Sequence, residues 1–183
     1  VYGGHGYIRE WGMEQFVRDA RIAQIYEGTN GVQAMDLVGR KLAQNGGRAV
    51  RALFEIVATE VAEAKADPEL AGIAGALERA TGELQKATLW LMQNAMANPN
   101  NAGAAAYSYM NLMGIVCLGL MWLRMSKASA AVLSNGAEDA DFHRAKVITG
   151  RFFAERMMPE AGALRRQIES GSETLMALPV EAF

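Results

Sequence analysis

A single acidic residue at a helix break is the strongest candidate for chemistry in this chain. Glu27 stands between Tyr26 and Gly28, and Thr29 follows. Glycine ends helices and lets a ligand approach the backbone closely, and a carboxylate at such a break can accept a proton. On spacing alone, the simpler interpretation is structural: the acid ends one helix, and Thr29 or Asn30 caps the next.

A glycine-rich turn, GGHGY, occupies residues 3–7 near the start of the chain. Gly3 and Gly4 leave room for a ligand beside the backbone, although without a partner the same residues form an ordinary tight turn. Between the turn and Glu27 lies the segment RDAR, residues 18–21, in which we expect Arg18 and Asp19 to form a structural ion pair.

These motifs in this order, GGHGY, RDAR and YEGT at residues 26–29, resemble the C-terminal signature of the acyl-CoA dehydrogenases. The resemblance implies that Glu27 removes the α-proton of an acyl-CoA thioester and that Gly28 lies against the substrate. A carboxylate that a bound acyl chain removes from water becomes a stronger base. Some branches of the family carry the base on another helix, which leaves that alternative open.

The resemblance also implies FAD as the cofactor. Gly3 and Gly4 match the turn that contacts its adenosine-diphosphate half, reaching the cofactor of a neighbouring subunit, while Thr29, Asn30 and Gly31 match positions that touch the flavin. Exposed N–H groups at the start of the second helix suit such a ligand. The implied reaction yields a 2,3-enoyl-CoA, with electron-transfer flavoprotein or a similar acceptor, in a homodimer or a dimer of dimers.

The fold class predicted is all-α, because proline is scarce and no alternating pattern persists. We expect residues 1–46 to be the last helices of the family's C-terminal domain, with a first helix over 13–25. Residues 47–183 are predicted to form an up-down four-helix bundle with a short tail. Its helices are expected over about 49–65, from the Asp67-Pro68-Glu69 start signal onward, over about 103–133, and over 139–169 with a kink or restart at Pro159.

The apolar spacing predicts which side chains form the bundle core. On the second bundle helix Leu70, Ile73, Leu77, Ala80, Leu84, Ala87 and Leu91 make a seven-residue repeat. On the last helix Phe142, Ala145, Ile148 and Phe152 are expected inward. The core is expected to include Leu53, Leu77, Leu84, Trp90, Met113, Leu120 and Phe152, with Met92, Met96, Met110, Met113, Met121 and Met125 filling gaps.

The bundle resembles the extra C-terminal helical domain of some larger acyl-CoA dehydrogenases, a subgroup that includes enzymes acting on 3-methylmercaptopropionyl-CoA. The chain starts at Val1 within its own motif, and Phe183 looks like a natural terminus, so we expect a C-terminal piece of a longer enzyme. Alone, the piece is expected to be inactive and not to retain FAD.

Composition argues against several other classes of function. A net charge of -2 without a basic stripe argues against a nucleic-acid binder, and one cysteine, Cys117, excludes an internal disulfide and is expected to be inert. We find no metal-ligand spacing and expect no metal.

The cytoplasm is the default location. A helical assembly module without chemistry is the alternative function.

The membrane question arises because residues 87–123 contain no Asp, Glu, Lys or Arg. By length alone, residues 104–123 could span a bilayer. Ser108 and Asn111 dilute this segment, and Arg124 and Lys127 continue the helix. We therefore expect a buried core helix and no membrane span, and keep a membrane-associated domain as a third possibility.

Overall fold

The structure is a computed structural model that describes residues 1–136 and 138–182. The described residues form helices and turns without a strand, which confirms the all-α prediction. The chain divides into two compact units, Val1–Gln33 and Ala34–Phe183. This division falls earlier than the domain boundary expected after residue 46, which stays a prediction. The terminus expected at Phe183 lies outside the described residues.

The first unit consists of short helical segments. Two 3-10 turns, Gly3–Tyr7 and Arg9–Trp11, precede helix α1, Met13–Ile25, as the pattern predicted. Gly12 adopts φ +72° between the second turn and α1, a left-handed conformation that favours glycine. After a turn at residues 26–28, helix α2 begins at Thr29 and extends to Asp36 in the second unit.

The second unit is a helical bundle. A π-helical segment, Leu37–Lys41, and a 3-10 turn, Gln44–Gly47, lead into it. Its helices are α3, Arg48–Ala64, α4, Ala71–Asn94, α5, Pro99–Ser134, α6, Ala140–Phe152, and α7, Glu160–Glu169. A π-helical segment, Phe153–Met157, joins α6 to Pro159, after which α7 restarts. A 3-10 turn, Val180–Ala182, ends the described chain.

Pairs of contacting residues show that the helices run up and down. Helices α4 and α5 are joined by the short segment 95–98. Thr88 and Tyr109, which lie at similar distances before and after this segment, form a hydrogen bond, so the two helices run in opposite directions. Between α3 and α5, Arg124 pairs with Glu60 and Lys127 with Glu63, so both partners advance together and these helices are parallel. This alternation is the bundle arrangement expected.

The repeat on α4 forms the centre of the core. Leu70, Ile73, Leu77, Ala80, Leu84, Ala87 and Leu91 are all at most 3% exposed. From α5, Tyr109, Leu112, Val116, Leu120 and Leu123 pack against them. Leu53, Trp90 and Met113 were predicted as core members; they are half-buried and pack against this core.

The predicted inward face of the last helix is wrong. Phe142, Ala145, Ile148 and Phe152 are all exposed, and α6 instead buries Val147 and Gly150. The side chains that meet Gly150 are Ser126 and Ile73, so small residues let α5 and α6 approach closely. After α6, Met158 N donates to Phe153 O at 3.1 Å, an i+5 bond that shifts the helical face by one residue and brings Phe153 against the core.

Most of the expected methionine packing is also wrong. Met92, Met96, Met121 and Met125 are exposed, Met110 and Met113 are half-buried, and Met158 is the methionine that the core buries. Helix α5 starts at Pro99 rather than near Gly103, because Asn98 caps it by accepting a hydrogen bond from Asn100 N at 3.1 Å.

Among the described residues, α5 is the one helix long and apolar enough to pass a composition test for a membrane span. The core helix of a soluble protein passes the same test, so this is weak support for a span. We predicted that α5 is a buried core helix. In the structure one side of α5 is buried and the opposite side is exposed.

Candidate functional site

Glu27 lies in the turn between α1 and α2, held by backbone hydrogen bonds on both sides. Tyr26 N donates to Ile22 O at 3.2 Å, which ends α1. Thr29 N donates to Tyr26 O and Asn30 N to Glu27 O, both at 2.9 Å, which starts α2. Glu27 itself is exposed. The backbone of the candidate base is therefore fixed locally, while its side chain is open to an incoming group.

The same hydrogen bonds limit what the start of α2 can offer to a ligand. The amides of Thr29 and Asn30 are already donated within the turn. The expectation of free N–H groups there is wrong for these two residues. Their side chains remain: the Thr29 hydroxyl and the Asn30 carboxamide can both donate hydrogen bonds.

Glycines near this turn leave its surface free of side chains. A Cβ atom added at Gly28 or Gly31 would meet no other atom within 4 Å. Space beside these positions is therefore not filled by this chain. A substrate or cofactor could approach the backbone there, and a larger side chain would obstruct only such a ligand.

The predicted cofactor turn has the conformation that glycine permits. Gly3 adopts φ +56°, and His5 N donates to Tyr2 O at 3.2 Å to close the turn. A Cβ atom at Gly3 or Gly4 would also meet nothing within 4 Å. Since Gly4 lacks the positive φ of Gly3, a side chain at Gly4 is compatible with the chain itself, and only an approaching ligand would exclude it.

The first unit, Val1–Gln33, contains a cleft that we did not predict from the sequence. It has a volume of about 600 Å³ and is lined by Gly6, Tyr7, Arg9, Glu14, Val17 and Arg18. Arg18 donates to Glu14 at 2.6 Å, not to Asp19, so the expected Arg18–Asp19 pair is wrong. This hydrogen bond lowers the pKa of Glu14 and raises that of Arg18. The i, i+4 spacing of the pair was the signal available in the sequence.

Cys117 and His143, in the second unit, are both half-buried. The Cys117 thiol is half-buried, and burial raises its pKa, which keeps it protonated. His143 Nδ1 lies 3.2 Å from Ser129 Oγ, between α6 and α5. Within residues 1–136 and 138–182, no group of three His, Cys, Asp or Glu side chains is placed to hold a metal ion.

Comparison with known proteins matches the two parts of the chain to two family models. Residues 1–43 match the family described as acyl-CoA dehydrogenase, C-terminal domain, and residues 53–179 match the one described as acetyl-CoA dehydrogenase C-terminal like. The 3-methylmercaptopropionyl-CoA dehydrogenase of Ruegeria pomeroyi is 36% identical over 177 residues, which is 96% of this chain and 30% of that protein.

The chain belongs to the acyl-CoA dehydrogenase family. The broad-specificity linear acyl-CoA dehydrogenase FadE5 of Mycobacterium tuberculosis is 29% identical over 99% of this chain and 31% of its own length. Isobutyryl-CoA dehydrogenase of Bos taurus is 46% identical, but over 44 residues only. The chain spans about 30% of the length of the curated relatives that it matches along nearly its whole sequence.

The residues present fit part of an FAD site. A Cβ atom added at Gly3 or Gly4 would meet nothing within 4 Å, which leaves room beside the backbone, and Thr29 and Asn30 keep side-chain donors. No arginine or lysine lies in the segment from Tyr26 to Gly31. These residues would therefore hold the cofactor by hydrogen bonds and close backbone approach.

Proposed function

We propose that this chain is the C-terminal part of an FAD-dependent acyl-CoA dehydrogenase that converts an acyl-CoA thioester to its 2,3-enoyl-CoA. The observation that carries the proposal is Glu27, exposed in a hydrogen-bonded turn beside Gly28, in a segment that matches the family's C-terminal domain. The names of the relatives support this reaction class and leave the acyl group open.

Glu27 is proposed to remove the proton from the carbon next to the thioester carbonyl. The bond from Asn30 N to Glu27 O holds the backbone of this residue, and its exposed carboxylate can reach a substrate that lies beside the turn. Gly28, where a Cβ would find open space, lets the thioester lie against the backbone. FAD, when bound, would supply the acceptor for the hydride lost from the β carbon.

Other parts of the whole protein are proposed by family membership. Thr29, Asn30 and Gly31 would contact the flavin, and Gly3 and Gly4 the adenosine-diphosphate half of FAD in a neighbouring subunit of a homodimer or dimer of dimers. Electron-transfer flavoprotein or a similar carrier would take the electrons. One relative that matches over 42 residues is named as a subunit of a caffeyl-CoA reductase–Etf complex. We also propose a cytoplasmic enzyme.

The test of the base is Glu27→Gln in the full-length enzyme. Because the amide cannot accept the proton, reduction of the flavin by substrate is expected to slow by about a hundredfold or more, with flavin and acyl-CoA still bound. Stopped-flow absorbance of the flavin measures the rate. Glu10→Gln, at an exposed glutamate of the same unit, is the matched control and is expected to react normally. Normal reduction in Glu27→Gln would place the base elsewhere.

The test of the cofactor turn is Gly4→Leu in the full-length enzyme. A Cβ atom added at Gly4 would meet nothing within 4 Å in this chain, so lost flavin is expected to report the approach of the cofactor. Gly103→Leu, at another glycine with open space, is the control. Sedimentation read at a flavin wavelength is expected to show flavin-free protein for Gly4→Leu only. Retained flavin in a monomer would make residues 3–7 a plain turn.

A further inference from the structure

A cavity of about 390 Å³ lies in the second unit, where the chain enters the bundle. One wall is formed by residues 38–47, the π-helical segment and the turn after it, and the other by residues 91–102, the end of α4 and the start of α5. Each residue that lines the cavity is apolar or glycine. Small-molecule sites are mostly apolar and measure roughly 300–1,000 Å³, so this cavity, which we call the entry cavity, has the size of a ligand site.

The entry cavity has a buried floor and two methionines at its opening. Leu42 is 9% exposed and Leu91 2%, whereas Met92 is 59% and Met96 91% exposed. Methionine side chains are flexible and polarizable, and they adapt to apolar ligands of different shape. The two methionines, which the core of the bundle does not bury, are therefore placed to fold over an apolar chain.

One end of the entry cavity is positively charged. Gly46 and Gly47 line this end, and α3 follows directly, with no acidic residue in its first turn and no side-chain cap. A Cβ atom at Gly46 would lie 4.0 Å from Arg51 Nη2. Within residues 1–136 and 138–182, neither Arg48 nor Arg51 forms a salt bridge. The positive end of the helix dipole and the two arginines thus favour an anion at this end.

Unusual backbone conformations border the same cavity. Asn45 has φ +52° and is the one described non-glycine residue with a positive φ. Leu42 N donates to Leu37 O at 2.8 Å, the i+5 bond of a π-helical segment. Such conformations cost free energy and occur often at functional sites. Their position beside the entry cavity agrees with a role in binding.

We propose that the entry cavity binds a single-chain amphiphile with an anionic head group, such as a fatty acid. The alkyl chain lies on Leu42 and Leu91. Met92 and Met96 fold over it from the opening of the cavity. The head group meets Arg51 at the start of α3. A carboxylate and a phosphate both offer negatively charged acceptor oxygens, so either head group can use this contact.

The order of apolar and charged surface distinguishes this cavity from an exposed apolar face. A packing helix needs an apolar line along its whole length, whereas the entry cavity is concave and ends beside a cation. An amphiphile has the same division into an apolar chain and a charged head. All lining residues belong to the second unit, so the inference goes beyond the proposed function and rests neither on Glu27 nor on FAD.

The first test is isothermal titration calorimetry of the 183-residue chain with decanoate below its micelle concentration. Decyltrimethylammonium, with the same alkyl chain and the opposite charge, is the matched control and is expected to bind at least about tenfold more weakly. Each buried methylene group tightens binding about fourfold, so octanoate is also expected to bind about tenfold more weakly than decanoate. No binding of decanoate, or equal binding of both head groups, would overturn the proposal.

Methionine methyl NMR locates the bound chain. In protein with ¹³C-labelled methionine methyl groups, decanoate is expected to shift the signals of Met92 and Met96. Met121 and Met125 on α5 are also exposed but do not line the entry cavity, so their signals are expected to stay in place. Equal shifts at all four methionines would show adsorption to any exposed apolar side chain and would contradict a specific site.

A glycine of the π-helical segment allows the cavity to be filled. A Cβ atom added at Gly39 or at Gly114 would meet nothing within 4 Å, and of the two only Gly39 lines the entry cavity. Gly39→Leu is expected to weaken decanoate binding by about tenfold or more, with an unchanged melting curve by circular dichroism. Gly114→Leu, the control, is expected to bind normally. Normal binding by Gly39→Leu would exclude this cavity as the site.

A charge variant tests the head-group end without changing the cavity. Arg51→Gln is expected to weaken decanoate binding by about fivefold or more and to leave decyltrimethylammonium binding unchanged or tighter. Arg79→Gln, at an exposed arginine of α4 outside the cavity, is the control. Decyl phosphate compares the two anionic heads, and tighter binding than decanoate would assign a phosphate head. An equal effect of Arg51→Gln and Arg79→Gln would remove the role of Arg51.

Two other occupants of the cavity have their own outcomes. If the opening met a bilayer, the chain would co-sediment with vesicles of phosphatidylcholine and phosphatidylglycerol, and Met96→Glu would abolish this. If further chain filled the cavity, an enzyme of the length of the curated relatives would show no shift of Met92 and Met96 with decanoate, although the 183-residue chain does. Either result would overturn the ligand site and leave the proposed roles of Glu27 and FAD untouched.

Discussion

In the first unit, Val1–Gln33, no described residue is buried, and large apolar side chains such as Phe16 and Val17 are about 70% exposed. In the second unit, an apolar repeat on α4 is almost completely removed from water. Glu27 and the glycines proposed to contact substrate and cofactor belong to the first unit. The buried apolar core belongs to the second unit. A helix can thus begin and end at defined residues without contributing to a hydrophobic core. Its ends depend on capping and helix-breaking residues in the sequence, whereas a core needs other elements to pack against.

The largest effect is expected at the centre of the second unit. Leu84→Asp places an unpaired charge at a position that is 0% exposed, which is expected to lower the free energy of unfolding by about 3 kcal/mol or more. Leu89→Asp, on the same helix but 56% exposed, is the control and is expected to change it by less than about 0.5 kcal/mol. Urea denaturation followed by circular dichroism measures both. Equal effects would remove the distinction between a buried and an exposed face of α4.

The close approach of α5 and α6 gives the next effect. A Cβ atom at Gly150 would overlap Ser126 Oγ and lie 3.2 Å from Ile73 Cδ1, so Gly150→Ala is expected to cost about 1–3 kcal/mol. Gly82→Ala on α4, where a Cβ meets nothing within 4 Å, is expected to stabilise by about 0.5–1 kcal/mol. If urea denaturation shows that Gly150→Ala lowers the free energy of unfolding and Gly82→Ala raises it, small-residue packing between α5 and α6 is supported. A neutral Gly150→Ala would mean that the helices can separate at no cost.

The buried hydroxyl pair of the core gives a smaller and pH-dependent effect. Tyr109 lies 2.8 Å from Thr88 Oγ1, and burial raises the pKa of Tyr109 from 10.0 to about 12. The raised pKa means that the native state holds its proton more tightly than the unfolded chain. Stability is therefore complete below pH 10 and falls as the pH rises from about 10 towards 12, by up to about 1.4 kcal/mol per pH unit.

Replacement of this tyrosine isolates its contribution. Tyr109→Phe is expected to cost about 1 kcal/mol at neutral pH through the lost hydrogen bond. It is also expected to flatten the alkaline loss of stability, measured by urea denaturation at several pH values. Tyr107→Phe, at a tyrosine that is 49% exposed two residues earlier, provides the comparison and is expected to leave the profile unchanged. An alkaline slope that survives in Tyr109→Phe would assign the titration to other groups.

The smallest effect is expected in the first unit. Phe16→Ser is expected to leave the unfolding of this chain unchanged, because Phe16 is 68% exposed and loses no buried contact. In an enzyme of the length of the curated relatives, we expect the same substitution to lower the melting temperature, because further chain would cover this face. Differential scanning fluorimetry compares the two. A clear loss in the short chain would show that the first unit has a core of its own.

Much of the fold follows from local rules that the sequence displays. The bounds of α1 and the buried repeat of α4 come from helical spacing and from glycine breaks, which act within a few residues. The start of α5 lies four residues before the predicted position near Gly103, because Asn98 caps the helix and Pro99 occupies its first turn. The candidate site came from motif resemblance, and its assigned roles stay predictions.

The sequence by itself determined the helical class, the family and the position of Glu27 at a break, because these depend on residue types and spacing along the chain. Tertiary structure decided which face of a helix is covered. On α6, small residues turn inward and Phe142 and Phe152 stay in water, since the neighbour α5 offers Ser126 and Ser129 for close approach. On α5, both faces are apolar, so spacing alone could not choose between them. The buried face of α5 is set by the helices that pack against it, and the composition of α5 alone does not show where they pack.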